Sequence, residues 1–132
     1  MNDFSTFAES VPPAEIPHVG EDNNKEDEMK IYIAGPYTKG DVAVNVREAI
    51  LAGNYVALMG HVPFIPHLTH FWHLLQPHDY DFWMRQDEEW LKCCDAILRC
   101  QGESAGADKE VEIAQGLGMP IYYSVFDVPP LR

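Results

Sequence analysis

The spacing of apolar positions along the chain describes short strands alternating with amphipathic helices. Ile31 to Ala34 is a β-branched and aromatic run closed by Gly35-Pro36, the punctuation of a buried strand. From Val42 to about Met59, the residues Val42, Ala43, Val46, Ala49, Ile50, Gly53, Val56 and Ala57 share one helical face, with Asp41 placed as N-cap and Gly60 as the stop. A second stripe of Val44, Leu51, Tyr55 and Leu58 lies apart from it, so one face is expected on a sheet and the other on a partner helix or subunit. Val62 to Ile65 reads as a strand with Pro63 near its start, His67 to Leu75 as a short helix and Tyr80 to Cys94 as a longer one. Asp95 to Cys100 reads as a strand, Ala107 to Gly118 as a helix and Pro120 to Ser124 as the last strand. This alternation predicts an α/β domain: a doubly wound, mostly parallel sheet of about four to five strands with helices on both faces.

Two positions break the pattern. On the last helix, Glu110 falls inside the apolar arc of Ala107, Val111, Ile113, Ala114, Leu117 and Gly118, whereas Asp108, Lys109, Glu112 and Gln115 take the outer side. On the preceding helix, Asp87 sits within the arc of Tyr80, Trp83, Met84, Trp90, Leu91 and Cys94. An ionised side chain on a core-facing stripe costs several kcal/mol unless something pairs with it or uses it. In a doubly wound sheet, ligands lie beyond the carboxyl ends of the strands, here Gly35-Pro36-Tyr37, Pro66-His67 and Cys100 to Gly106. The loop Ser104-Ala105-Gly106-Ala107 leaves backbone N–H groups at a helix N-terminus, where the dipole favours an anion. Two inward carboxylates beside such a crevice suit glycosidic chemistry, one attacking C1 of a sugar and the other managing the leaving group's proton. The competing reading makes both acids structural, tied to backbone N–H groups or basic side chains.

Charge narrows the partners. The 132 residues carry a net charge of −12, and residues 1 to 29 hold eight acids against Lys25 alone. Residues 1 to 28, acidic and without periodicity, are expected to be a disordered extension, leaving 29 to 132 as one domain. An acidic surface gives no support to nucleic-acid binding. No apolar run approaches ~18 residues and no basic-then-apolar leader opens the chain, so neither a membrane nor an export route is expected. Three cysteines, Cys93, Cys94 and Cys100, form no disulfide framework and suggest a reducing, cytoplasmic setting.

Tyr32 in IYIAGP, Asp87 in DEEWLKCCDAIL, and Ser104, Gly106 and Glu110 in SAGADKE, followed by Ala114 and Gly118 before Pro120, resemble the nucleoside 2-deoxyribosyltransferase family and its nucleotide N-glycosidase relatives. The similarity runs from Lys30 to about Ser124 and is strongest in the last third. The resemblance implies that Glu110 is a nucleophile forming a sugar ester, that Asp87 assists proton transfer and sugar binding, and that Tyr32 orients the nucleophile. It implies a nucleoside or nucleotide substrate and no metal or organic cofactor, while the second stripe of the first helix, Val44, Leu51, Tyr55 and Leu58, predicts a homodimer or higher homo-oligomer. Ser104 matches a residue that contacts a 5′-phosphate, and Gly106 would permit close approach of the ligand. Where the monophosphate-cleaving branch reads Gly-Ser-x-Arg, this chain reads Gly35-Pro36-Tyr37-Thr38, with Lys39 the nearby cation. Gly35, Pro36, Lys39, His67, Ser104 and Gly106 are therefore the candidate substrate-binding residues. A non-catalytic nucleotide-binding or sensor module of the same fold is the alternative function.

His67, His70 and His73 spread over about 120° of a helix, too wide for easy three-way metal ligation, so polar packing or substrate contact is the expected role. Phe71, Trp72, Phe82 and Trp83 have the chemistry to stack on a base, but core or subunit-interface packing is the expected use. The cysteines, lacking an adjacent catalytic histidine, are expected to pack.

Overall fold

The computed structural model describes residues 26–131, so the expected acidic extension, residues 1–28, falls almost wholly outside the described residues. Four strands, β1 (Lys30–Ala34), β2 (Val62–Phe64), β3 (Ala96–Arg99) and β4 (Ile121–Tyr122), form one sheet in the order β2-β1-β3-β4, with every pairing parallel. Helices α1 (Val42–Leu58), α2 (His70–Leu75), α3 (Tyr80–Leu91) and α4 (Ala105–Gly116) make the connections, with 3₁₀ turns at Pro66–Thr69 and Val125–Asp127.

The central strands β1 and β3 are covered on both faces, which is why Ile31 to Ala34 and Ala96 to Leu98 are apolar without interruption. Ile31, Ile33, Ala96 and Leu98 face α1 and meet Ala49 and Val56. Tyr32, Ala34 and Ile97 point the other way and meet Leu91 of α3 with Ala107, Val111 and Ala114 of α4. The expected doubly wound arrangement is thus present. β1 winds outward through α1 to the edge strand β2, and β3 winds outward through α4 to β4. The switch falls between β1 and β3, whose carboxyl ends carry the loops 35–40 and 100–104. Pro63 is tolerated because β2 is an edge.

Asp41 caps α1 as expected, its carboxylate accepting from the Val44 N–H at 3.2 Å. Ala49, Gly53 and Val56 are the buried stripe of this helix, and a Cβ on Gly53 would stand 2.4 Å from Ile65 Cδ1, so the helix lies closer to the end of β2 than any side chain allows. The packed face is narrower than its apolar arc, because Ala43 and Ile50 are exposed. Most of the second stripe is open: Val44 is 51% and Leu51 47% exposed, Tyr55 stands edge-on to the more exposed Phe126, and Leu58 is half-buried. Helix α4 starts at Ala105 rather than Ala107 because Ser104 is its cap, and it stops at Gly116, which leaves Leu117 and Gly118 outside the buried arc. The last strand shortens to two residues, since the Ser124 hydroxyl accepts from the Phe126 N–H and turns the chain. No helix among the described residues is long and apolar enough to cross a membrane.

Candidate active site

Two independent periodicities bring Tyr32 and Glu110 together. The alternation along β1 sends Tyr32 to the α3/α4 face, and the helical repeat of α4 puts Glu110 on the same side as Ala107 and Ala114. Tyr32 is fully buried and Glu110 is 6% exposed, while Glu112 lies at the surface, as the helical spacing predicts. The Tyr32 hydroxyl donates to Glu110 Oε2. Burial pushes the Glu110 carboxyl up to about 8; the Tyr32 hydrogen bond and the Arg99 guanidinium oppose that rise, and the charge of Asp87 adds to it. Asp87, half-buried on the inner flank of α3, is pushed by burial up to about 6. Burial, then the two carboxylates, raise the Tyr32 phenol well above its usual range, so it remains a donor. Near neutral pH this pair of acids holds one proton between them, the condition for acid–base work on a leaving group.

The loops at the switch point lie at the carboxyl ends of β1 and β3. Ser104 Oγ accepts from the Ala107 N–H at 3.1 Å, so the expected anion cradle is smaller than the sequence suggests: the N–H groups of Ala105 and Gly106 are left, together with the Ser104 hydroxyl proton. A Cβ on Gly106 would stand 3.5 Å from the Tyr80 hydroxyl and 3.7 Å from Met84 Sδ, which places the start of α3 over the first turn of α4. Lys39 pairs with Glu103 at 2.6 Å, one residue from Ser104. Asn45 ties the first loop down by donating to the carbonyls of Tyr37 and Lys39, at 2.9 and 2.8 Å. Gly102, at φ +112°, has a conformation that suits glycine, and a Cβ there would meet Pro36 Cγ at 2.8 Å. Gly35 and Pro36 thus lie where the two loops meet.

A family model described as a domain of unknown function, DUF7768, matches residues 29–124. The chain belongs to the DUF7768 family. No curated protein matches it significantly. Among solved structures, this DUF7768 chain is similar to the 2-deoxyribosyltransferase of the psychrotolerant bacterium Bacillus psychrosaccharolyticus, at 22% identity over 70% of this chain and 69% of that one, with a TM-score of 0.53. That likeness shows a shared fold.

The remaining predicted residues of the DUF7768 domain divide between loop support and packing. His67 is buried, its Nε2–H donating to the Pro36 carbonyl at 2.9 Å, which leaves Nδ1 an acceptor without a partner among the described residues; burial lowers its pKa. It supports the first loop from beneath. His70 bonds the Tyr37 hydroxyl at 2.5 Å and His73 Nδ1 accepts from Trp83 Nε1–H at 2.8 Å, so the three histidines have separate hydrogen-bond partners, although His67 and His70 both pack edge-on to Tyr37. Trp72, Phe82 and Trp83 pack edge to face on one another with His78 stacked on Phe82, whereas Phe71 is 71% exposed. Cys93 is exposed and Cys94 half-buried, both as free thiols. A cleft of about 500 Å³ lies between the start of α4 and the segment after β4, bounded by Arg99, Cys100, Gln101, Gly102, Asp108, Val111 and Tyr123. Its one carboxylate, Asp108, is paired with Arg99, so the acid chemistry belongs to the buried side of the helix. Arg99 itself, 9% exposed at the end of β3, is the residue that the pattern of apolar positions passes over; its signal is a lone cation closing the strand AILR.

Proposed function

We propose that this chain cleaves the N-glycosidic bond of a nucleoside or nucleoside 5′-monophosphate, with a 2-deoxyribosyl sugar, through a covalent ester on Glu110. The observation that carries the reading is the buried Tyr32–Glu110 hydrogen bond with Asp87 alongside. In the first step a carboxylate oxygen of Glu110 bonds to C1′ as the C1′–N bond breaks, its electron pair leaving with the base nitrogen. Asp87 supplies the proton that the base takes up. In the second step water, or the nitrogen of a second base, attacks C1′; its proton returns to Asp87 and the C1′–O bond to Glu110 breaks, restoring the carboxylate. Before attack, the single proton of the pair leaves Glu110 for Asp87, and Tyr32 stabilises the bared carboxylate by its hydrogen bond. The fold shared with a 2-deoxyribosyltransferase supports this reading.

The alternative, a nucleotide-binding module without turnover, draws on the first loop, where Pro36 packs on Gly102 and Lys39 is already engaged by Glu103. Incubation with a panel of nucleosides and 5′-monophosphates, with and without a second free base, separates the two. Release or exchange of base is expected, with Glu110→Gln inactive and Glu112→Gln close to wild type. Binding without any product across the panel refutes the enzyme reading, and equal loss in both variants refutes the helical-face argument.

A further inference from the structure

Arg99 occupies the last position of β3, in register with Ala34 of β1, on the face shared with Tyr32. An apolar side chain there would continue the core. Instead the guanidinium is buried and engages three groups of the following segment. Nε and Nη2 donate to Asp108 Oδ1 at 3.3 and 3.0 Å, Nη2 also donates to the Gly102 carbonyl at 2.9 Å, and Nη1 donates to the Cys100 carbonyl. Asp108 is largely exposed, with 68% of its side chain in solvent, against 10% for Arg99. Burying one charge against a solvated partner contributes little net stability, since desolvation offsets the attraction. The planar fork, however, fixes two loop carbonyls and the first turn of α4 at once, which a lysine has no geometry to do.

That loop carries Ser104, the N-cap of α4, and α4 carries Glu110. We propose that Arg99 is a positioning residue for the Glu110 centre: clamped beneath residues 100–104, it fixes the start of α4 and sets a permanent positive charge on the sheet face that Tyr32 and Glu110 share. Tyr32 from β1 is hydrogen-bonded to Glu110, and the charges that act on it are those of Asp87 from α3 and Arg99 from β3, of which Arg99 is the cation. It favours the ionised carboxylate that Asp87 and burial oppose. The catalytic part of this role rests on the proposed function; the electrostatic part does not.

The test is a ¹³C NMR titration of the Glu110 side chain in the full chain, free of ligand. In Arg99→Met the midpoint moves to higher pH, and in Asp108→Asn, a surface change that unmasks the guanidinium, it moves to lower pH. A purely structural Arg99 predicts no such opposite displacement. Midpoints that coincide with wild type in both variants overturn the proposal, and if Arg99→Met does not fold, an unmoved midpoint in Asp108→Asn is sufficient to overturn it. Where turnover is found, Arg99→Lys keeps the charge but loses the fork, so kcat/KM falls by about 100-fold with the pH profile in place. An unchanged kcat/KM in that variant removes the loop-fixing role. A chain without turnover still gives the titration, so failure of the enzymatic reading is distinguishable from failure of this one.

Discussion

Glu110→Gln is expected to strengthen the fold at alkaline pH while removing the nucleophile. A glutamate side chain ionises near 4.5 when free and near about 8 in the folded protein, chiefly because of burial. Between those values the folded state keeps a proton that the unfolded state has lost, so stability is fully present below pH 4.5 and is lost as pH rises through about 8. At about 1.4 kcal/mol for each pH unit in that window, ionisation costs the folded state about 5 kcal/mol. Little solvent screens the group, which is 6% exposed. The glutamine amide has the same volume and its oxygen still accepts from Tyr32, but its unpaired N–H donors cost about 1 to 3 kcal/mol. The variant is therefore slightly less stable than wild type at pH 5 and more stable by roughly 2 to 4 kcal/mol at pH 9. Urea unfolding of both proteins at the two pH values measures this. A stability difference that is the same at pH 5 and pH 9 means that Glu110 is not a buried acid, and the account of the site falls with it.

The pH dependence of kcat/KM is expected to be bell-shaped, with limbs near about 6 and about 8, because the reacting pair must hold one proton whichever carboxyl carries it; a profile flat from pH 5 to 9 refutes this. Ser104→Ala removes an N-cap, costing about 0.5 to 2 kcal/mol in a thermal melt, and lowers kcat/KM for a monophosphate roughly 10- to 100-fold while sparing the nucleoside. An equal loss on both substrates means the hydroxyl serves the loop or the sugar. The open stripe of Val44, Leu51 and Tyr55 is expected to be covered by a second copy of the chain, giving a dimer by light scattering at micromolar concentration and a monomer in Leu51→Glu. A strictly monomeric wild type removes that assignment. Deleting residues 1 to 28 is expected to leave the melting temperature within a few degrees, and loss of cooperative unfolding is the contrary result.

What the sequence disclosed follows from periodicity. Buried strands and helix faces repeat at 2.0 and 3.6 residues, so β1, β3, α1 and the inward aim of Glu110 and Asp87 were legible, the last two as violations of their own pattern. Helix and strand ends were less so. α4 begins at Ala105 because a serine hydroxyl reaches a particular N–H, and the last strand shrinks because another does, local choices that an apolar pattern does not encode. The reduction of the anion cradle has the same cause. Asn45 escaped because its partners are backbone carbonyls, which every residue possesses and no sequence pattern marks, and Arg99 because, beside Asp108, two of its three partners are carbonyls as well. His67 was placed by its position after β2, but its task of holding Pro36 depends on how two distant loops meet.

His61 ties the beginning of β1 to the segment around Pro129. Its Nδ1 accepts from the Met29 N–H at 3.1 Å and its Nε2–H donates to the Pro129 carbonyl at 2.5 Å, while the Leu131 N–H reaches the Met59 carbonyl at 2.8 Å. Positions 29 and 131 therefore emerge side by side at the amino edge of the sheet, across the molecule from the loops that frame Glu110. For protein engineering, a fluorescent reporter fused ahead of Met29, or residues 29–131 spliced into a host loop, is expected to leave the loops at the carboxyl edge facing outward. A new chain break introduced in the loops at the carboxyl edge would instead cut through the frame that Gly102, Asn45 and Arg99 hold together.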